Sequence, residues 1–211
     1  MDTQARYYYE PSKGHGLAHD PLNAIIGPRP IGWIATRSQD GKRNLAPYSF
    51  FNCFNYHPPI IGFASVSYKD SLANILTTGE FVWNLATRPL AEKMNLTSAA
   101  LAPDSDEFEF AGLTPVPGNL VGADRVAESP VNFECKLSQS LQLQSASGEK
   151  IETWLVLGEV VAVHIDRQLL DADGTYLTAK AEPILRAGGP SAYYGISEAL
   201  RFDMQRPPAP K

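Results

Sequence analysis

Along this chain, apolar positions run together or alternate far more often than they recur at helical spacing. Three short runs have strand length and are rich in β-branched and aromatic residues: Ile31-Gly32-Trp33-Ile34-Ala35-Thr36, Ile60-Ile61-Gly62-Phe63-Ala64-Ser65-Val66 and Phe81-Val82-Trp83-Asn84-Leu85. Strict alternation in Val131-Asn132-Phe133-Glu134-Cys135-Lys136-Leu137 predicts a half-buried strand. Trp154 to Ile165 is nearly continuous apolar sequence, interrupted by Glu159 and His164. Helical spacing is confined to two stretches. After Asp70 or Ser71 as N-cap, Leu72, Ile75 and Leu76 share a face and Gly79 suits the stop. From Thr87, with Pro89 tolerated in the first turn, Leu90, Met94 and Leu101 keep an approximately helical period.

Breakers delimit these runs. Pro28-Arg29-Pro30 holds the backbone extended before the first strand. Gln39-Asp40-Gly41-Lys42 predicts a hairpin, because Asp-Gly supplies left-handed dihedrals. Pro47 marks an edge or a bulge, and His57-Pro58-Pro59 breaks the chain before the second run. Ser145 to Gly148 and Asp173-Gly174 are turns. Residues 102–123, with Pro103, Pro115, Pro117 and acidic Asp104, Asp106, Glu107 and Glu109, read as a long loop of the kind that is often functional. Many strands and few helices predict a mainly β fold, a closed or nearly closed antiparallel barrel. Residues 1–20, with Tyr7-Tyr8-Tyr9, read as an irregular arm, 21–185 as one domain, and 186–211 as a C-terminal extension ending in a frayed tail.

Composition mostly excludes. The 211 residues are 44% apolar and 19% charged with a net charge of −5, an ordinary globular balance. Without a basic stripe, nucleic-acid binding is not expected. No stretch approaches the ~20 apolar residues of a membrane span, and no signal-like run opens the chain, so a cytoplasmic protein is expected. Cys53 and Cys135 lack metal spacing and read as buried thiols of a reducing compartment. His57 and His164 have no ligand partners at suitable spacing, so no metal is expected. Asn95-Leu96-Thr97 fits a glycosylation acceptor without a secretory signal, and Asp171-Ala172-Asp173-Gly174 reads as a turn, not a calcium loop.

Two segments carry candidate chemistry. Lys69, Asp70 and Ser71 sit where a strand hands over to a helix; free N–H groups, the helix dipole and a lysine charge suit an anion, although a capped surface helix beside a solvated lysine has the same pattern. Ala46-Pro47-Tyr48-Ser49-Phe50-Phe51-Asn52 offers consecutive N–H groups, small residues and aromatic walls to a flat heteroaromatic ring; taken alone it is also a bulged edge strand with core aromatics. No Gly-x-Gly-x-x-Gly fingerprint and no P-loop occur, so a nicotinamide cofactor would have to visit as a substrate.

The order of Pro28-Arg29-Pro30-Ile31-Gly32-Trp33-Ile34-Ala35-Thr36-Arg37, Asn44 to Asn52, Lys69-Asp70-Ser71 and Val82-Trp83-Asn84-Leu85 closely resembles the flavin reductase-like family, which includes flavoredoxins and reductase components of two-component monooxygenases. Gly14-His15-Gly16-Leu17, His19-Asp20-Pro21 and Glu128-Ser129-Pro130-Val131 fit one branch of it. The resemblance covers about residues 15–185. It implies an FMN-binding split β-barrel with Greek-key-like antiparallel topology, usually a homodimer with flavin near the subunit interface. It implies that Thr36, Arg37, Lys69 and Ser71 serve the phosphate and ribityl chain, that Ala46, Pro47, Tyr48, Ser49, Phe50 and Asn52 line the ring, and that Ser65, Asp70 and Asn84 complete the cofactor-binding set. The implied reaction is hydride transfer from NADH or NADPH to FMN, with electrons passed to a monooxygenase component or other redox partner. No side chain is named as a catalytic acid or base, because the cofactor carries the chemistry. The alternatives are an FMN-bound electron carrier reduced by another protein, and a barrel that has lost flavin and binds another small molecule.

Overall fold

In the computed structural model, which describes residues 6–102 and 105–209, the segment Arg29–Pro30 (β1) leads into the principal sheet. That sheet comprises β2 (Gly32–Arg37), β3 (Arg43–Tyr48), β4 (Phe51–Tyr56), β5 (Pro59–Val66), β6 (Glu80–Asn84), β9 (Val131–Gln144) and β10 (Lys150–Ile165). Short strands β7 (Pro115–Pro117) and β8 (Asp124–Val126) pair with each other, and β11 (Ile184–Arg186) lies between β1 and β12 (Tyr193–Gly195). The described α-helices are α1 (Leu22–Ile25), α2 (Asp70–Thr78), α3 (Ala91–Leu96) and α4 (Glu107–Phe110).

Every neighbour in the seven-stranded sheet is antiparallel, in the order β3-β2-β6-β9-β10-β5-β4. The two edge strands, β3 and β4, are consecutive in the chain, separated only by Ser49 and Phe50. The sheet must therefore curl until its edges approach. At the closure the Ala64 N–H donates to the Phe50 carbonyl over 2.8 Å, and the Tyr48 and Phe63 rings lie 4.5 Å apart. Register shifts at Leu157/Gly158 and Val160/Ala162 bend β10 around the barrel. Gly158 permits that bend, since a Cβ there would meet the Phe81 ring at 2.3 Å.

Alternation along each strand divides the apolar residues between two cores. Ile34, Phe63, Phe81 and Val156 fill the barrel, joined by Leu72 and Ile75 of α2. Trp33, Ala35 and Val82, their sequence neighbours, pack outside it against Leu90, Met94 and Phe108. Strands β2 and β6 are thus covered on both faces, which is why they read as unbroken apolar runs.

The structure departs from several sequence expectations. Helix α2 takes Lys69 as its N-cap, one residue before the expected one, while Gly79 closes it in the left-handed conformation (φ 76°). Leu76 faces solvent. The second helix is a 3-10 turn at Arg88–Leu90 followed by α3, and it ends at Leu96, so Leu101 lies beyond it. Within 102–123 the chain forms α4, capped by the Asp106 carboxylate, and β7; Pro103 and Asp104 lie outside the described residues. Cys53 is exposed, because edge strand β4 turns it outward. Strand β9 is not half-buried where expected. Glu134 is fully buried because residues 119–121 fold over it and donate three backbone N–H groups to its carboxylate. His164 adds a fourth contact at 2.6 Å. Glu128 likewise accepts from the Thr114 N–H and hydroxyl, so the Glu128-Ser129-Pro130 motif anchors the approach to β7.

Candidate functional site

A cleft of about 650 Å³ lies between β3, the mouth of α2 and residues 97–102. Side chains of Asn44, Ala46 and Tyr48 share one face of β3 by strand alternation and form its floor. The backbone at Lys69-Asp70-Ser71 forms the facing wall. A buried amide joins the two: Asn44 Nδ2 donates to Ser71 Oγ over 2.7 Å and to Thr36 Oγ1 over 3.3 Å. Asn74, one turn further along α2, donates to the same Thr36 oxygen at 3.1 Å.

Charge in the cleft is unevenly committed. Arg43 is held by Asp124 at 2.6 Å and Asp106 at 3.3 Å, and these carboxylates push its guanidinium pKa up. Lys69 makes no ion pair among the described residues. The helix it caps has no side-chain cap, so the first-turn N–H groups of α2 stay open toward the cleft. Asp70 stands at the same mouth, so an anion there requires its exposed carboxylate to point to solvent. Glu107, which accepts from the Leu45 N–H at 3.1 Å, has its carboxyl pKa raised by burial and by nearby Asp106 and Asp70. The Tyr48 hydroxyl is buried near Ser65 and Ser71 without a well-directed hydrogen bond, and burial pushes its pKa up.

The sequence-predicted residues separate into groups. Ala46, Pro47, Tyr48, Lys69, Asp70 and Ser71 line the cleft together. Thr36 and Ser65 stand behind its lining: Thr36 beneath Asn44 and Asn74, and Ser65 donating to the Ser67 carbonyl. Ser49 lines a second, smaller pocket, and Phe50 lies under the Arg29 guanidinium. Asn52 faces solvent on β4, its side chain taken up by the Cys53 N–H. Two more lie away from the cleft. Arg37 projects from the opposite face of β2 to Thr36 and reaches Asp124 and the Gly41 carbonyl. Asn84 is fully buried as a structural bracket, donating to the Trp33 carbonyl and accepting from the Val126 N–H and from Asn132.

Sequence reasoning missed Asn44, Asn74, Glu107 and the segment 97–102. The first two had usable signals, since Asn44 is two residues before Ala46 on a strand and Asn74 one helical turn after Ser71. Glu107 arrives through tertiary folding of the long excursion, and residues 97–102 are the stretch between α3 and that excursion. Among the described residues no group of three or more His, Cys, Asp or Glu could hold a metal ion, and no helix is long and apolar enough to cross a membrane.

Comparison with known proteins adds an independent line. The family described as "Flavin reductase like domain" matches residues 27–183. An uncharacterized protein of Aquifex aeolicus is 38% identical over 171 residues, covering 78% of this chain and 83% of that protein. Among solved structures, nitrilotriacetate monooxygenase component B from Bacillus cereus superposes with a TM-score of 0.80 at 28% identity, covering 89% of this chain and 98% of that one. Flavoredoxin of Desulfovibrio vulgaris (Miyazaki F) gives a TM-score of 0.72 at 26% identity, covering 83% and 90% respectively.

Proposed function

The chain belongs to the flavin reductase-like family and has its split-barrel fold, and from that premise we propose that it binds FMN in the cleft between β3 and α2 as an NAD(P)H-dependent flavin oxidoreductase. The observation that carries this reading is the Asn44–Ser71 hydrogen bond, which makes the strand floor and the helix mouth two walls of one cavity. A volume of about 650 Å³ falls within the roughly 300–1,000 Å³ common for cofactor pockets. The residues also fit the group: Lys69 and the open first turn of α2 suit a phosphate, and Ala46 leaves room for a ring.

FMN held there would supply the two-electron chemistry for oxidising NADH or NADPH and reducing a monooxygenase component or another acceptor. The protein's share is placement. Lys69 and the α2 N–H groups fix the phosphate end. Asn44 and Asn74 hold Thr36 and Ser71 in place behind them. Ala46, Pro47 and Tyr48 form the floor, and residues 97–102 shield the cleft from one side. Arg37 and Asn84 have no part in this reading.

A homodimer completes the proposal. Edge strand β4 exposes Phe54 and Tyr56, with Phe50 beside them, and the C-terminal extension exposes Leu200, Phe202 and Met204; a second copy of the chain would cover such surface. Two unpaired thiols are in keeping with a cytoplasmic setting. The likeness to a flavoredoxin favours one alternative, an FMN-bound carrier reduced by another protein. One experiment separates them. The purified protein is scanned for a flavin spectrum, then assayed for NADH and NADPH oxidation with added FMN. Turnover is the expected result; tight flavin without turnover would establish the carrier, and absence of FMN affinity would overturn both.

A further inference from the structure

We propose that Arg29 and Arg186 form an oxyanion subsite beside the flavin cleft, built to hold a phosphoryl group of the reduced pyridine dinucleotide. The two residues are direct cross-strand partners, Arg29 on β1 opposite Arg186 on β11. Like charges in that position repel. Here they converge further, since Arg29 Nη2 and Arg186 Nη1 both point at the Ala187 carbonyl oxygen, at 3.5 and 3.0 Å. Neither makes an ion pair with a carboxylate among the described residues. Asp20 lines the same pocket, but its Oδ1 caps the Leu22 N–H.

What holds the cations together is neutral. Arg186 also donates to the carbonyls of Ala192, Gly189 and Pro190, and its guanidinium lies 5.1 Å from the Tyr193 ring centre. Arg29 donates to the carbonyls of Ser49 and Asn23, and lies 5.7 Å from the Phe50 ring centre. These contacts fix both guanidinium groups and leave few donors: of five N–H groups each, Arg29 uses three and Arg186 four, so two remain on Arg29 and the Nε–H remains on Arg186. Burial and the neighbouring Arg186 push the Arg29 pKa down, as expected of a cation kept without a counter-charge.

The pocket they line, with His19 and Ser49, is about 320 Å³, room for part of a ligand rather than a whole dinucleotide. Its place gives the ligand. Ser49 directly follows Tyr48 of the cleft floor, and its carbonyl is held by Arg29. A molecule entering to meet a ring over Ala46 to Tyr48 would thus carry a distal phosphate past the two arginines. The pyrophosphate bridge of a dinucleotide, with one negative charge on each phosphoryl, matches two adjacent cations better than a single carboxylate does. The identity of this visitor rests on the flavin reading; the anion site itself does not.

The test uses the full chain and two variants, Arg186→Gln and Arg186→Lys. Inorganic phosphate and adenosine 2′,5′-bisphosphate are titrated calorimetrically at low salt, and FMN and riboflavin separately by fluorescence. Steady-state rates are measured with NADPH, NADH and reduced nicotinamide riboside, which has no phosphate. For Arg186→Gln the expected results are about tenfold weaker phosphate and bisphosphate binding and a similar fall in kcat/KM for dinucleotides relative to the riboside, with Arg186→Lys intermediate. Phosphate binding equal to that of the unaltered protein overturns the site. Equal losses for dinucleotide and riboside overturn the dinucleotide assignment. Loss of FMN affinity with riboflavin unaffected places the flavin's own phosphate here and overturns it too. If the chain binds no flavin, the phosphate titrations still decide the anion site independently.

Discussion

The Asn44 side-chain amide donates to the Ser71 hydroxyl over 2.7 Å, tying the edge strand β3 to the first turn of α2. Both residues are buried, so the bond is shielded from water and fixes the distance between the two halves of the cleft. It adds to the packing of Leu72 and Ile75 in the barrel and to the Asn74–Thr36 bond, which already seat α2 over the sheet. With it, floor and helix mouth are joined directly across the cleft.

Replacing Asn44 by Ala should therefore cost both stability and ligand. Two hydroxyls, on Thr36 and Ser71, lose a buried donor, which costs about 1–3 kcal/mol. Urea denaturation should register that loss, and fluorescence titration should show weaker FMN binding. Flavin affinity unchanged in a destabilised variant would mean that the bridge supports the fold alone.

Lys69 is expected to act on the phosphate and nothing else. It makes no ion pair among the described residues, and it caps α2 without a side-chain hydrogen bond. Lys69→Ala should weaken FMN binding by about 1–2 kcal/mol, the worth of a charge-assisted contact, while riboflavin binding stays the same. Equal losses for both ligands would remove the lysine from the phosphate corner.

How far the sequence could be read depended on how local the cause was. Strands β2, β5 and β6 lie within a residue or so of the expected runs, because burial on both faces makes such strands continuous apolar text. Pro47 lies on an edge strand, as expected, since its missing N–H faces no partner there. Of the proposed cleft residues, Ala46 to Tyr48 and Lys69 to Ser71 do come together. Arg37 was separable from Thr36 by alternation alone, and a stricter use of the two-residue period would have set it on the far face. Other features were not legible. Glu134 reads as solvent-facing because the N–H groups that justify its burial belong to residues 119–121. The pairing of Arg29 with Arg186 joins distant segments that no local pattern connects.

The same buried carboxylate gives a pH prediction. Burial alone would raise the Glu134 pKa, but the N–H groups of Asn119, Leu120 and Val121 with His164 outweigh it and hold the value below the usual carboxylate range. The folded state thus binds this proton less tightly than the unfolded chain. Its stabilisation is complete above the unfolded value of roughly 4.3 and is lost as pH falls through the lower folded value. Glu134→Gln should lose about 2–4 kcal/mol at pH 7, since an amide NH₂ would face donors, and should flatten the acid limb of a urea-stability profile. An acid limb identical to that of the unaltered protein would assign the pH dependence to other groups.

The exposed aromatic edge of the barrel supplies the last expectation. Phe54 and Tyr56 are 53% and 79% exposed on a strand whose outer hydrogen-bonding edge is unpaired within the described residues. Solvated singly, such residues would be unremarkable, but adjacent on an open edge they invite self-association. A charge there should prevent it at little expense to the fold, because neither side chain belongs to either core. If the proposed homodimer forms through this edge, the unaltered protein should sediment as a dimer and Phe54→Glu toward monomer, with urea stability, measured at a concentration where both proteins are monomeric, changed by less than about 1 kcal/mol. If flavin lies near a subunit interface, FMN affinity should fall as the monomer appears and recover as protein concentration rises. A variant that remains dimeric would show that the interface lies elsewhere on the barrel.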